Sequence, residues 1–391
     1  MSDGGRVKLY VTEETGSWGV TPSVAMDTIA NAVSETLGQT QGSTTTNAIR
    51  GDYVKPGVHR TKLNGTGDIA GELAYGDWDK IIAGVFRGTW TSVVTNTATI
   101  YSFDNASNLT RSGGSFVSDG YVIGQWIKTS GFVNAANNGF WRITTVAALT
   151  MALVPMSGTV STTEAAGASV TVKTGGMLRN GTTLRSYTIE RNFADLTNRW
   201  IAHKGQRPNM WKLGITTGAL ITSTFTFDGK VPFQAAASQG SGSFNAPVTG
   251  RVMNAIDNIT GIMENGALTT CKVSQINLSL SSPNRPIETL GTIGPQDIRG
   301  NSFAPTGDMR MFWDDNAVAL YNEYLNFTQS AVFFRLVDSV GSSYIVTLPA
   351  LHFTGGNPNV TGVDADVVQT LAFTAELDSV TNTLMQIDRF V

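Results

Sequence analysis

The chain of 391 residues is poor in the residue types from which reactive sites are built. It has one cysteine, Cys271, and three histidines, His59, His203 and His352, which lie far apart in sequence. One cysteine excludes a disulfide framework or a cysteine-based metal site within one chain. The histidine spacing excludes the common zinc motifs. We therefore expect no catalytic, cofactor-binding or metal-binding residues.

Charge is also scarce. Charged residues make up 15% of the chain and the net charge is −3, whereas about 25% is typical of soluble domains. Lys and Arg form no cluster, which excludes a protein that grips nucleic-acid phosphates. No apolar run approaches the roughly 18 residues of a membrane helix, and the first residues lack the pattern of a signal peptide. We expect synthesis in a cytoplasm and no membrane partner.

Two carboxylate pairs remain as candidates for chemistry. Asp314 and Asp315 precede a predicted helix that they can cap, and Asp364 and Asp366 lie in a polar loop. Neither pair has a third acid or a histidine beside it in sequence. No nucleophile elbow, phosphate loop or dinucleotide fingerprint is present. The sequence thus predicts a protein that is not an enzyme.

What the chain does contain is a repeat. TGDI begins at residue 66 and TGDM at residue 306, 240 residues later. An alternating apolar segment and then an apolar stripe of helical spacing follow each copy, which predicts a strand running into a helix. The stripes comprise Trp78, Ile81, Ile82, Val85 and Phe86 in the first copy, and Ala317, Leu320, Tyr321, Tyr324 and Leu325 in the second.

The ends of these helices carry capping signals. The first is predicted from near Asp77, as N-cap, to Arg87, with Gly88 as the left-handed residue that follows. The second is predicted from Asp315 to about Phe327. Asp68 and Asp308 of the repeated motif are assigned to turns, in which Asp binds its own backbone. Aspartate at Trp78 or at Tyr321 is predicted to abolish folding or assembly.

The repeat favours a mainly β chain with two homologous modules, each with a flanking helix. Two unrelated β-rich domains are the alternative. Val33-Ser34 and Val273-Ser274 share the 240-residue offset. A stretch without counterpart contains short strand candidates, including 121–123, and is placed on the surface of the first module. The expected division is an N-terminal arm (1–32), module 1 (33–93 and 177–232), a small inserted all-β domain (94–176), a connector (233–266) and module 2 (267–391).

Several segments carry a resemblance to a known family. They are ETGSWG at 14–19, GDIAGEL at 67–73 with the helix after it, SYTIE at 186–190, LGTIGP at 290–295, and SYIVTLP at 343–349. In this order and spacing they resemble the tail tube (major tail) proteins of long-tailed bacteriophages, over nearly the whole chain. The chain departs from that pattern by carrying two units, a tandem-duplicated form, and the insert.

The resemblance implies packed β-sheets with a flanking helix, assembled into stacked rings around a channel for DNA ejection into the host. Three chains supply six modules, which favours a homotrimeric pseudo-sixfold ring, with a homohexamer as the alternative. Unpaired sheet edges would join between copies. The implied partners are further copies, a tape measure protein, tail-end or terminator proteins, and double-stranded DNA in transit. The implied location is the virion tail, assembled in the host bacterial cytoplasm.

Two rival functions stay open from sequence alone. One is a virion surface or adhesion module that binds host glycans, with the insert as its reader. The other is a polysaccharide-degrading enzyme, which needs two carboxylates facing each other across a cleft. The sequence offers no preferred pair. Deletion of residues 95–175 separates the first rival from a tube protein, which should still form tubes.

Overall fold

The computed structural model describes residues 2–391, and the fold is mainly β, as predicted. Residues 2–93 form β1 (Val7–Glu13), β2 (Met26–Ile29), β3 (Ala32–Glu35), β4 (Gly38–Thr45), β5 (Val58–Glu72) and α1 (Asp79–Phe86). Residues 94–175 form β6 (Thr95–Ala98), β7 (Tyr101–Phe103), β8 (Asn108–Arg111), α2 (Phe116–Asp119), β9 (Trp126–Ser130), β10 (Gly139–Val146), β11 (Thr150–Pro155) and β12 (Val170–Thr174).

The remaining elements lie between residues 176 and 391. Up to residue 268 they are β13 (Gly176–Arg179), β14 (Tyr187–Phe193), β15 (Trp200–Thr216), β16 (Thr222–Gly229), β17 (Phe233–Ala235), β18 (Phe244–Asn245), β19 (Ile259–Glu264) and β20 (Ala267–Leu268). Beyond it they are β21 (Val273–Ser281), β22 (Asn284–Ile287), β23 (Asp297–Gly300), β24 (Ala304–Phe312), α3 (Ala317–Asn326), β25 (Gln329–Val337), β26 (Ser343–Gly355), β27 (Pro358–Asn359), β28 (Val368–Ala375) and β29 (Gln386–Phe390).

A central antiparallel sheet of eight strand positions runs through both halves of the chain and forms a half-barrel. One face packs on the main apolar core, which also takes in α1 and the first turns of α3. The opposite face is polar, as the alternating burial of each strand requires. The order across the sheet is β3/β4, β5, β16, β15, β21, β24, β28, and the end of β26 with β27.

The two halves follow the same order of elements and the same pairing. In each, a hairpin is followed by a helix and then by three antiparallel strands, the last of which returns to the hairpin. The middle of these three strands, β15 or β26, is long and bends from one sheet into another. The corresponding elements are β1 with β19, β3/β4 with β21, β5 with β24, α1 with α3, β14 with β25, β15 with β26, β16 with β28, and β17 with β29.

The irregularities of the two halves also coincide. Three shifts of register in the first half have counterparts at the same places in the second. The shift between Ala32 and Ser34 matches the one between Val273 and Gln275. The shift between Tyr187 and Ile189 matches the one between Ser330 and Val332. The shift between Pro208 and Met210 matches the one between Phe353 and Gly355. Because bulges are positional features of a fold, they fix the alignment residue by residue.

This alignment corrects one match made on the sequence. Ala32 lies opposite Gly71, and Val273 lies opposite Met311. Val33 therefore corresponds to Ser274, at an offset of 241 and not 240. The shared dipeptide Val-Ser was a coincidence of composition.

Residues 95–174 form a seven-stranded sheet of their own, in the order β6-β12-β9-β10-β11-β8-β7, with a separate apolar core. The predicted strand at 121–123 is wrong. Tyr121 lies in the loop after α2, where its buried hydroxyl donates to the Val172 carbonyl oxygen at 3.0 Å. Its apolar neighbours thus reflect burial of a loop and not sheet pairing.

This small sheet packs on the second half of the chain. A third apolar cluster joins Trp126 and Met156 of the small sheet to Met263, Phe333, Ile345 and Phe390. The Trp126 indole donates to the Thr347 hydroxyl at 2.9 Å, and the Trp126 backbone N–H donates to the Asp388 carboxylate at 3.3 Å. Burial raises the pKa of Asp388 to about 7, although hydrogen bonds and nearby arginines oppose the shift. The segment therefore connects distant parts of the sequence.

The helix ends differ in part from the prediction. The N-cap of α1 is Trp78, without a capping side chain, and Asp77 instead accepts from Asn31 Nδ2 at 2.9 Å. The left-handed residue after α1 is Arg87 (φ 52°), not Gly88. The helix α3 begins at Ala317, and Asp314 Oδ1 accepts the backbone N–H groups of Asn316 and Ala317 at 3.1 and 3.2 Å. The N-cap of α3 is Asn316, without a capping side chain, so Asp314 binds the backbone at the start of this helix from two residues before the N-cap.

Candidate assembly surfaces

The repeated TGD motif lies inside strands β5 and β24, so its assignment to turns is wrong. Asp68 and Asp308 project from the polar face of the central sheet, each beside a core residue, Ile69 or Met309. Asp308 accepts from Asn277 Nδ2 at 3.0 Å on the neighbouring strand. The two aspartates therefore occupy corresponding positions on one surface.

The glycine of the motif is required by close packing of the sheet. A Cβ on Gly67 would lie 2.5 Å from the Thr36 carbonyl oxygen and 2.6 Å from Leu37 Cα. A Cβ on Gly307 would lie 2.5 Å from the Phe373 ring and would also collide with the Asn277 carbonyl oxygen. The repeat in the sequence thus records a backbone approach that only glycine permits.

The polar face carries few charges. Its rows are mostly Thr, Ser, Asn and Gly, as in the row through Thr224, Lys212, Ser279 and Thr306. The charged residues on this face include three acids and two bases: Asp68, Glu72, Asp308, Lys212 and Arg310. A surface of this kind offers a phosphate backbone little attraction.

The two halves of the central sheet join through β15 and β21. Their register pairs Met210 with Ser281 through to Thr216 with Gln275. The pairing is bounded by two backbone hydrogen bonds, Ser282 N–H to Asn209 at 2.8 Å and Thr217 N–H to Ser274 at 3.0 Å. We call this junction the in-chain seam.

Side chains of the first half reinforce the in-chain seam. The Arg87 guanidinium donates to the carbonyl oxygens of Asn301 (2.5 Å), Ser282 (2.9 Å) and Pro283 (3.1 Å). Its burial lowers the pKa of Arg87, with a further contribution from the charge of Arg207. Arg207 itself pairs with Asp297 at 3.1 Å.

Apolar packing completes this junction. Phe86, at the end of α1, is fully buried and lies against Phe303 of the second half, with ring centroids 5.6 Å apart. The in-chain seam therefore combines strand pairing, carbonyl capping by arginine and burial of the end of a helix.

Two edges of the central sheet pair with no other strand within residues 2–391. One is the outer edge of β3 and β4, and the other is the outer edge of the end of β26 with β27. They are the counterparts of the two strands that meet at the in-chain seam. A groove of about 890 Å³ runs beside the first edge and is lined in part by Ala32, Val33, Glu35 and Arg191. Open edges of this kind are templates for pairing with another chain.

None of the residues considered for chemistry assembles into a site. His203 is buried with both ring nitrogens unpartnered, and burial lowers its pKa to about 4, with a contribution from the charge of Arg191. His59 is exposed on β5, and burial raises the pKa of the Cys271 thiol. His352 Nε2 lies 2.9 Å from Glu376. Asp364 and Asp366 are exposed in a loop.

Among residues 2–391 no group of three or more His, Cys, Asp or Glu side chains is arranged to hold a metal ion. No helix in this part of the chain is long and apolar enough to cross a bilayer.

Comparison with known proteins places the chain in a family. No curated protein matches it. The family model described as phage tail tube protein, however, matches residues 4–375, nearly the whole chain. The chain therefore belongs to the phage tail tube protein family, and is a structural protein of the virion tail.

Proposed function

We propose that copies of this chain close into rings and that the rings stack into a tube through which the phage genome passes into the host. The tube assembles in the host cytoplasm, with a tape measure protein inside it and terminator proteins at its ends. The chain acts as a conduit and carries out no reaction.

The observation that carries the proposal is the in-chain seam together with the two open edges. The seam joins the outer strand of one half to the outer strand of the other, and the same two kinds of strand lie unpaired at the ends of the central sheet. An interface between two different faces closes into a ring when the rotation permits. The junction already present inside the chain is thus a template for the junction between chains.

The ring is a trimer with pseudo-sixfold symmetry. The coincident strand order and bulges support a tandem duplication, so that one chain supplies two of six similar units. We divide the chain into an arm (1–32), module 1 (33–93 and 177–232), an insert (94–176), a connector (233–266) and module 2 (267–391). By pairing, β1 belongs with module 1 and β19 with module 2. Eight strand positions in each of three chains give a barrel of 24, wide enough for a lumen.

The polar face of the central sheet lines the bore. It is the face opposite the core, and its charged residues include three acids against two bases. Tightly held phosphates would retard a moving duplex, because each contact with a cation releases counterions and adds affinity. A weakly acidic, hydroxyl-rich wall lets DNA slide.

The test is negative-stain electron microscopy of the purified chain over a range of concentrations and salt. We expect tubes of constant diameter whose end views show threefold detail on a sixfold outline. Since each chain carries one insert, six insert-sized projections per ring would indicate a hexamer of chains and not a trimer. A monodisperse monomer under every condition would refute the proposed function.

A further inference from the structure

We propose that the seam between chains pairs 355–361 of one copy with residues 34–40 of the next, in an antiparallel register that the in-chain seam specifies. The end of α3 is then covered by the β4–β5 hairpin of that neighbour. This assignment rests on the proposed ring, and it names the partner surface residue by residue.

The register follows from the alignment of the two halves. Thr66 and Thr306 are equivalent, since each begins a copy of the repeated motif. Gly38 lies opposite Thr66, and Ser279 lies opposite Thr306. Gly38 therefore corresponds to Ser279, and Thr36 to Asn277.

On the other edge, Asn359 lies opposite Val368 as Gly214 lies opposite Thr222. Asn359 therefore corresponds to Gly214, and Asn357 to Lys212. Since Gly214 pairs with Asn277 and Lys212 with Ser279 in the chain, Asn359 pairs with Thr36 and Asn357 with Gly38 between chains.

The end of α3 supplies the second observation. The left-handed residue that closes each helix is Arg87 in the first half and Phe327 in the second. Arg87 lies beside Arg207, and Phe327 stacks on His352, the counterpart of Arg207, at 4.4 Å. The corresponding side chains thus lie near each other in both halves.

Their exposure differs because only one of the two pairs is covered. Arg87 is 8% exposed beneath the carbonyl groups of Ser282, Pro283 and Asn301, whereas Phe327 is 62% exposed and the nearby Leu325 is 58% exposed. The first half has its neighbour, module 2, within the chain. The exposed apolar end of α3 marks the place where the next chain supplies the equivalent cover.

Charge supports the same partner. In the in-chain seam a base on the first half, Arg207, faces an acid, Asp297, on the loop of the second. At the open end the surface beside Phe327 carries the acid Glu376. In the β4–β5 hairpin that would face it, Arg50 pairs with Asp52 and Lys62 pairs with Glu288, and Lys55 and Arg60 add two further bases. Compared with the in-chain seam, the acid and the base have exchanged sides, so opposite charges meet at the seam between chains as well.

One difference makes the seam between chains the weaker of the two. The backbone hydrogen bonds at the two ends of the in-chain seam show which residue pairs are hydrogen-bonded, because such pairs alternate along an antiparallel ladder. Leu213 and Leu278 are one of these pairs. Its counterpart between chains is Pro358 with Leu37, and proline has no N–H to donate. The seam between chains therefore lacks one ladder hydrogen bond.

Cysteine pairs test the register. In the 391-residue chain with Cys271→Ser, four cysteine substitutions are combined into two in-register pairs and two diagonal pairs. Gly38→Cys with Asn357→Cys, and Thr36→Cys with Asn359→Cys, are in register. Both are non-hydrogen-bonded positions, whose Cβ atoms come within disulfide range. Gly38→Cys with Asn359→Cys, and Thr36→Cys with Asn357→Cys, use the same residues as diagonal pairs about 7–8 Å apart.

The readout is non-reducing electrophoresis after mild oxidation of assembled rings, with microscopy of each sample and of the single variants. We expect the in-register pairs to link chains into species of two and three and the diagonal pairs to remain monomeric. Equal linkage of the diagonal pairs, or tubes in which no pair links, would overturn the register and leave the proposed function intact. Absence of rings from the parent and every variant would overturn both.

Discussion

Replacing Gly307 by alanine tests whether the repeated motif is a packing constraint. The new Cβ would lie 2.5 Å from the Phe373 ring and collide with the Asn277 carbonyl oxygen, in the middle of the central sheet. The carbonyl oxygen belongs to the backbone and the Phe373 ring is buried in the core, so the strands must separate. Overpacking of this kind costs about 1–3 kcal/mol. For a cooperative folding unit of about 150–250 residues, that cost corresponds to a fall in Tm of roughly 2–12 °C.

The matched variants are Gly67→Ala, which meets the Thr36 carbonyl oxygen at 2.5 Å, and Gly38→Ala, which meets the same atom at an ordinary 3.7 Å. We expect Gly67→Ala, where a φ of 152° adds backbone strain to the collision, to be at least as destabilised as Gly307→Ala, and Gly38→Ala to differ little from the parent. The measurement is tryptophan fluorescence on heating, below the concentration at which rings form, because association raises apparent stability. A Gly307→Ala chain as stable as Gly38→Ala would refute the reasoning.

Three further outcomes follow from burial and charge. Trp78→Asp should abolish soluble expression because Trp78 is fully buried. For Tyr321→Asp the sequence pattern predicts the same loss of folding or assembly, but the structure leaves Tyr321 only half-buried, so we now expect folded protein. Phe327→Asp should leave a folded monomer that forms no rings in microscopy, while Val340→Asp, at an exposed turn away from both edges, should assemble normally. Asp388→Asn should remove a pH dependence: since the folded pKa of about 7 lies above the usual value, the parent loses about 1.4 kcal/mol between pH 6 and 8. Urea unfolding at the two pH values measures that loss, and an equal loss in the asparagine variant would contradict it.

The sequence predicted the class of fold and the position of the repeated strand and helix, because both are local periodicities. It assigned Asp68 and Asp308 to turns because Thr-Gly-Asp has turn composition. Only the sheet shows why the glycine is there, since the atoms that exclude a Cβ come from residues 30 or more positions away. The alternation around Ile69 and Met309 was the signal that could have corrected the assignment.

The two helices show the limit of pattern analysis most clearly. Their apolar stripes have the same spacing, yet Leu325 is exposed and Val85, its counterpart when the helix ends are aligned, is buried. Phe303 of the second half packs on the end of the first helix, whereas Leu325 and Phe327 at the end of the second are exposed within residues 2–391. Periodicity identifies a face that should be buried, but it does not show whether the cover comes from the same chain.

The insert was placed on module 1 because its ends join that module, and its contact residues, such as Trp126 and Met156, alternate like ordinary core residues. Their partners lie in the second half. Deletion of residues 95–175 would therefore uncover Met263, Phe333 and Ile345, and loss of tubes in such a variant would report instability as readily as function. Substitutions on the exposed side of the insert are the better probe of glycan binding.

The packing of the small sheet on the C-terminal strands sets an order for biosynthesis. Trp126 leaves the ribosome more than 200 residues before Phe390, and β13 must wait equally long for β29, the strand with which it pairs. At ordinary bacterial elongation rates that interval is roughly 10–50 s. During it the nascent chain presents an uncovered tryptophan and an unpaired strand. Trp126 and β13 thus gain their partners only after residues 386–390 have left the ribosome.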